Sequence, residues 1–219
     1  MKKYWEVLRA CPLFQGIGDG DLRQMLTCLG AKVERFDKKQ TIIAEGMPAK
    51  CIGIVLSGRV QIEQVDYYGN RSILNNVAPS ELFAEAFTCA GVSAMPVAVI
   101  AVEPCEVMLI DGSHVLHTCE RHCGFHQQLI LNLMKDLAEK SLLFHQKLEI
   151  IGKRTTRDKL MTYLLHQAKK AECTVFTIPF DRQELADYLE VDRSGLSAEI
   201  GKLRKEGVLI SRKNRFELL

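Results

Sequence analysis

Asp181-Arg182-Gln183-Glu184-Leu185-Ala186-Asp187-Tyr188-Leu189-Glu190-Val191-Asp192-Arg193-Ser194-Gly195-Leu196-Ser197-Ala198-Glu199-Ile200 reads as two short helices joined by a tight turn. Asp181 is a good N-cap, and Glu184 stands three residues on, where its side chain completes a capping box. Leu185, Ala186 and Leu189 follow at helical spacing. After a turn at Glu190-Val191, Asp192 caps a second helix with Leu196, Ile200 and Leu203 on its apolar side, and Gly207 ends it. Val208-Leu209-Ile210 and Arg215-Phe216-Glu217-Leu218 then form a hairpin around Lys213-Asn214. Helix, short turn, helix and β-wing predict a winged helix-turn-helix, the module that lays its second helix in the major groove of DNA.

Working towards the N-terminus, Phe176-Thr177-Ile178-Pro179 reads as a short strand, and Thr155 caps a helix carrying Leu160, Tyr163, Leu164 and Ala168. Before that, neither Gly nor Pro occurs between Phe125 and Ile151. Ile130, Leu137, Phe144 and Ile151 are spaced one heptad apart there, with Leu133 at the matching d position and Lys140 and Lys147 at the later ones. This wide, imperfect stripe suits a helix that packs on a partner helix and on its own chain together, with Ile130, Leu133, Leu137, Phe144 and Ile151 at a dimer interface. A core helix of a monomer is the alternative.

From Ala31 to Asp111 the pattern is one of short strands: Thr41–Ile43, Ile52–Leu56, Arg59–Val65, Ser72–Leu74, Pro96–Val102 and Glu106–Ile110. Turns at Glu45-Gly46, Ser57-Gly58, Tyr68-Gly69-Asn70 and Glu103-Pro104 separate them, and a helical insert is expected near Glu81–Cys89. Such spacing predicts a β-sandwich or a jelly-roll barrel, the latter also called a double-stranded β-helix. Tyr4 to about Leu29 reads as short helices, and Ser113 as the cap of a helix after the last strand. The fold class is thus α+β. Residues 1–122 form a barrel domain, 123–152 a dimerisation helix and 153–219 the winged helix.

Composition agrees. The 219 residues are 47% hydrophobic and 26% charged, ordinary for a folded chain with a core. No apolar run reaches the roughly 18 residues of a membrane span, and Met1-Lys2-Lys3-Tyr4-Trp5-Glu6 lacks a following apolar stretch, so a cytoplasmic location is expected. The eight cysteines are then reduced. Net charge is +2, but residues 153–219 hold 14 Lys and Arg against 10 Asp and Glu, a net of +4, which leaves −2 for the rest. A basic C-terminal third suits contact with nucleic acid.

Glu45-Gly46 … Ile54-Val55-Leu56-Ser57-Gly58-Arg59-Val60 … Gly69 … Ser80-Glu81-Leu82-Phe83-Ala84-Glu85 resembles a cyclic-nucleotide-binding barrel. Phe180-Asp181-Arg182-Gln183-Glu184-Leu185-Ala186-Asp187-Tyr188-Leu189 … Asp192-Arg193-Ser194 … Leu203-Arg204-Lys205-Glu206-Gly207 resembles the helix-turn-helix of the Crp/Fnr family of bacterial transcription regulators. The resemblance spans nearly the whole chain. It implies a homodimer on a palindromic site in double-stranded DNA, with RNA polymerase as a possible partner. Arg193 is the candidate base reader, since its guanidinium can pair bidentately with guanine. Ser194 and Ser197 lie on the same face. The resemblance makes Arg182 and Gln183 phosphate contacts, and Lys202 and Lys213 (with Arg215) add salt-dependent ones. Where the family has a long polar residue the chain has Ala198, so reading there is reduced or shifted.

The barrel departs from its nucleotide-binding relatives. These have a Gly-Glu pair after Phe, the Glu accepting from ribose, and an Arg followed by Ser or Thr on the cyclic phosphate. Here Phe83-Ala84-Glu85 keeps only the Glu, Met95-Pro96 stands at the Arg position, and no Arg occurs from Ser72 to Glu120. A buried phosphate without a cation is strongly disfavoured, so cyclic AMP is not expected to bind, and the effector is left unknown. A pocket of Leu82, Phe83, Glu85, Met95 and Pro96 would prefer an apolar effector, or none. Cys119, His122, Cys123 and His126 fall at i, i+3, i+4 and i+7, a set that suits a thiophilic metal, although one straight helix cannot wrap an ion; no metal site is assigned. His114, His117, His122, His126, His145 and His166 all follow the strands, so a metal-dependent jelly-roll enzyme is not expected. A sensory protein acting on a protein partner and a metal or redox sensor using Cys119–His126 are the alternatives.

Overall fold

The structure is a computed structural model that describes residues 2–116 and 125–219. After a 3-10 turn at Lys2–Tyr4 come α1 (Trp5–Ala10), a second 3-10 turn at Pro12–Phe14, and α2 (Asp19–Cys28). Then follow β1 (Lys32–Phe36), β2 (Thr41–Ile43), β3 (Cys51–Ser57), β4 (Val60–Val65), β5 (Arg71–Val77), β6 (Leu82–Phe83), α3 (Glu85–Cys89), β7 (Ala98–Ala101) and β8 (Cys105–Asp111). The remaining elements are α4 (Gly112–Leu116), α5 (His126–Ile151), α6 (Thr156–Ala171), β9 (Val175–Thr177), α7 (Arg182–Leu189), α8 (Arg193–Lys205), β10 (Leu209–Arg212) and β11 (Arg215–Leu218). The described residues of Met1–Val65 and Leu74–Ser141 form one compact unit, and those of Asp66–Ile73 and Leu142–Leu219 a second.

Two four-stranded sheets, in the orders β1-β8-β3-β6 and β2-β7-β4-β5, build the barrel. Side chains alternate along β3. Ile52, Ile54 and Leu56 join a core with Leu8, Leu13, Leu22 and Met25 of the N-terminal helical segment and Leu129 and Leu133 of α5. Val55, on the other face, meets Val60, Phe83, Met95, Val99 and Val107. Both faces of β3 are thus covered, which explains a strand buried almost throughout. Gly53 admits the Phe83 ring, whose Cζ would lie 2.0 Å from an added Cβ. On β8, Glu106 is buried but well served: Lys3 Nζ donates to it at 2.8 Å, Arg35 Nε at 2.7 Å and Ser57 Oγ at 3.3 Å. The hydrogen bond from Lys3 leads the causes that pull its carboxyl down to about 2.

Two local expectations change. The insert near Glu81–Cys89 is helical only from Glu85, because Leu82 and Phe83 pair with Ile54 and Gly53 as a short strand and Ala84 then turns left-handed at φ 63°. The group serving the start of α4 is Asp111, which accepts from the backbone N–H of Ser113 at 2.9 Å and from its hydroxyl at 2.6 Å, so Ser113 is the donor.

In the second unit Leu160, Tyr163 and Leu164 of α6 pack with Leu185, Ala186 and Leu189 of α7, Leu196, Ile200 and Leu203 of α8, and Phe216 of β11. Ile73 and Ile150 belong to the same core. The wing is a three-stranded sheet in the order β10-β11-β9. Thr155 caps α6, Asp181 and Glu184 form the capping box of α7, and Asp192 caps α8 by accepting from Gly195 N–H at 2.8 Å.

Along α5, Leu129, Leu133 and Ile150 are buried, while Leu131, Met134, Leu142, Phe144 and Leu148 are exposed. Leu133 therefore belongs to the core of its own chain, which removes it from the interface assigned above. Ile130, Leu137 and Ile151 are half-buried.

Candidate functional site

The turn between α7 and α8 is bounded by Glu190, the left-handed C-cap of α7 at φ 53°, and by Asp192, the N-cap of α8. At the beginning of α8, Arg193, Ser194, Ser197 and Ala198 are all exposed. The Ser194 hydroxyl donates to Asp192 at 2.5 Å, which draws it towards the cap. Lys202 and Lys213 are exposed as well, and Lys202 lies 3.4 Å from Glu199. Gln183 is exposed, with its amide donating to Asp187 at 2.7 Å. Arg182 is half-buried: it donates to the Lys213 carbonyl at 3.3 Å and lies over the Phe216 ring at 5.7 Å. It thereby ties the start of α7 to the tip of the wing. Arg157 of α6 holds α8 from behind through Glu199 at 3.4 Å and Glu206 at 2.6 Å.

The expected pocket does not assemble as drawn. Phe83 and Met95 pack between the sheets, Leu82 faces the core shared with α5, and Pro96 is exposed. Glu85 is buried at 5% exposure and already has a partner. Lys140 Nζ donates to Glu85 Oε1 at 2.8 Å and to the Leu82 carbonyl at 2.8 Å, and it lies 3.1 Å from Asp136 Oδ2. Burial, above the other causes, raises the Asp136 pKa. Asp136 and Lys140 were missed by reading the sequence. Their signal was a polar residue breaking an apolar stripe, as Lys140 and Lys147 do at d positions.

Of the speculative metal set, Cys119, His122 and Cys123 lie outside the described residues, and His126 is buried on α5. Among the described residues no group of three or more His, Cys, Asp or Glu is placed to hold a metal ion, and no helix is long and apolar enough to cross a membrane.

Comparison with known proteins agrees with this architecture. The cyclic nucleotide-binding domain family matches residues 33–122, and the Crp-like helix-turn-helix domain family matches residues 158–219. Among solved structures, the c-di-GMP responsive global regulator CLP of Xanthomonas campestris superposes with a TM-score of 0.75 at 18% identity, covering 92% of this chain and 99% of its own. FixK2 of Bradyrhizobium japonicum gives 0.67 at 22% identity, covering 86% and 92%. A CRP-family transcriptional regulator of Thermus thermophilus gives 0.62 at 19%, covering 85% and 91%. No match was found among curated proteins. A nucleotide-binding-type barrel followed by a helix-turn-helix defines a DNA-binding transcription regulator. The chain carries a cyclic nucleotide-binding domain followed by a Crp-like helix-turn-helix domain, and in this it is similar to the Crp/Fnr family of such regulators.

Proposed function

We propose that the chain binds a palindromic DNA site as a homodimer, reads it with α8, and does so without cyclic AMP. The observation that carries this reading is the exposed Arg193, with Ser194 and Ser197, at the capped start of α8. A guanidinium there suits the O6 and N7 of a guanine. Gln183, Lys202 and Lys213 hold phosphates, and Arg182 adds to them while bracing the wing. Residues 1–122 serve as the sensory barrel, 123–152 as the dimer helix and 153–219 as the reader.

The dimer is supported by Leu131, Met134, Phe144 and Leu148, large apolar side chains exposed along one helix. Ile130, Leu137 and Ile151 flank them. Independence from cyclic AMP is supported by Met95-Pro96 in place of an Arg-Ser pair and by Lys140 on Glu85. The protein acts in the cytoplasm, with no catalytic role, and RNA polymerase is its expected protein partner.

The test is selection of duplexes from a random library by purified protein at fixed salt, with and without cyclic AMP. The expected result is a palindrome recovered equally in both conditions. Recovery only with cyclic AMP would mean that a phosphate cation comes from elsewhere. No enrichment in either would favour a barrel that signals to a protein partner.

A further inference from the structure

The last carbonyls of an α-helix have no partner within the helix, and its C-terminus carries a partial negative charge. In α7 this end leads directly into the turn of the helix-turn-helix, and two lysines from other elements occupy it. Lys159 of α6 donates to the carbonyls of Leu189 and Glu190, each at 3.2 Å. Lys147 of α5 donates to the carbonyl of Tyr188.

Lys147 is the unusual member of the pair. Its side chain is 6% exposed, and its ammonium also donates to the Ile73 carbonyl of β5 at 3.0 Å. The same ammonium lies 3.5 Å from the centroid of the Tyr188 ring, a cation–π contact. That ring is anchored in turn against Phe180 at 4.7 Å and Tyr163 at 5.4 Å. Two residues before Ile73, Arg71 forms a salt bridge with Asp187 at 2.5 Å, and Asp187 also receives Gln183. One ammonium therefore joins α5, β5 and the end of α7, within four residues of the cap of α8.

We propose that Lys147 is a positioning residue for DNA recognition: it fixes the end of α7 against α5 and β5 and so sets how α8 is presented to the groove. The inference rests on the DNA-binding reading above. The side chain touches no DNA and acts through the turn. A leucine at this heptad position would fill the space but could not bind two carbonyls.

The charge on Lys147 strengthens its bonds to the carbonyls and makes the contact with the Tyr188 ring, and the surroundings bear on it. Burial lowers its pKa to about 8, with Lys159 pushing the same way and Glu190 opposing. Tyr188 presents its ring, and Arg71 is engaged with Asp187. The folded value lies below the ordinary 10.5, so between about 8 and 10.5 the folded form holds fewer protons than the unfolded chain. In that window this group makes the fold more stable as pH rises, while the cation–π contact is lost and the two carbonyl contacts weaken to those of a neutral amine. DNA affinity and fold stability are thus expected to move in opposite directions, which a purely structural lysine would not produce.

The experiment uses the full chain and a duplex that the wild-type protein has selected from a random library. K147M keeps the length of the stem and removes the charge, whereas K147R keeps the charge. The expected result is an affinity loss of about tenfold for K147M with relaxed sequence preference, an unfolding midpoint no lower than wild type, and partial rescue in K147R. Wild-type affinity should fall as pH rises through about 8, with a flat profile in K147R. K147M affinity within about twofold of wild type would overturn the assignment and leave the DNA-binding reading standing. Should K147M fail to fold, the wild-type profile decides, and a flat affinity from about pH 7 to about pH 9 overturns it. If the wild-type protein selects no duplex, both readings fall.

Discussion

At the scale of single residues, Ala84 and Arg193 invite opposite experiments. Ala84 is buried with φ at 63°, at the position where relatives that bind nucleotides have Gly. An L-residue there is strained by roughly 1–2 kcal/mol. Ala84→Gly relieves that strain, but it gives up about 0.8 kcal/mol of methyl burial and loosens the unfolded chain by about 0.4–1 kcal/mol. These terms nearly cancel, so the variant should lie within about 0.5 kcal/mol of wild type in denaturant unfolding. Ala186→Gly, equally buried but inside α7, should lose about 1 kcal/mol or more. Equal losses in both would mean that Ala84 is not strained. Arg193→Ala should weaken binding by about 1–3 kcal/mol and relax preference at one base pair of each half-site. A uniform loss across sequences would assign Arg193 to phosphate instead.

Elements differ in how plainly the sequence announces them. The helix-turn-helix was legible because Asp181, Glu184 and Asp192 are local signals, each acting within three residues, and the structure places all three caps as read. The strand at Leu82–Phe83 was not legible, because two residues carry no period and its identity comes from pairing with β3. Neither was β1, whose Lys32-Val33-Glu34-Arg35-Phe36 is polar because four of its five residues are exposed. Likewise, α5 gave its length at once, yet its buried face includes Asn132 and Asp136, which lie off the a and d positions, and Lys147, a charge at a d position. Leu133 and Leu82 went astray for the same reason: a sequence shows that a residue is apolar, not which of two cores receives it. Glu106 joins the N-terminal segment, β1 and β8 through Lys3 and Arg35. Its folded value of about 2 lies below the ordinary 4.5, so its contribution is complete above 4.5 and lost as pH falls towards about 2. Glu106→Gln should flatten the pH dependence of the unfolding midpoint in that window. Parallel curves for the two proteins would show that the cluster contributes nothing.

For the whole molecule, the exposed side of α5 makes the sharpest demand. Met134 is 61% and Leu148 59% exposed, on a helix whose other side is already packed. Met134→Glu with Leu148→Glu should convert the proposed dimer to a monomer in sedimentation, with secondary structure unchanged, and weaken operator binding by at least about tenfold. A monomeric wild-type protein, or a double variant that remains dimeric, would remove the interface from α5. The Lys140–Glu85 contact has another consequence, for chemical signalling. An ammonium carried on the same chain is always present, so its local concentration does not change with growth or starvation. Any diffusing molecule that needed Glu85 would have to evict this resident cation and leave it a new counter-ion. Its measured affinity would be discounted by that exchange. A Lys140→Met chain, by contrast, would be a receptor whose seat had been vacated.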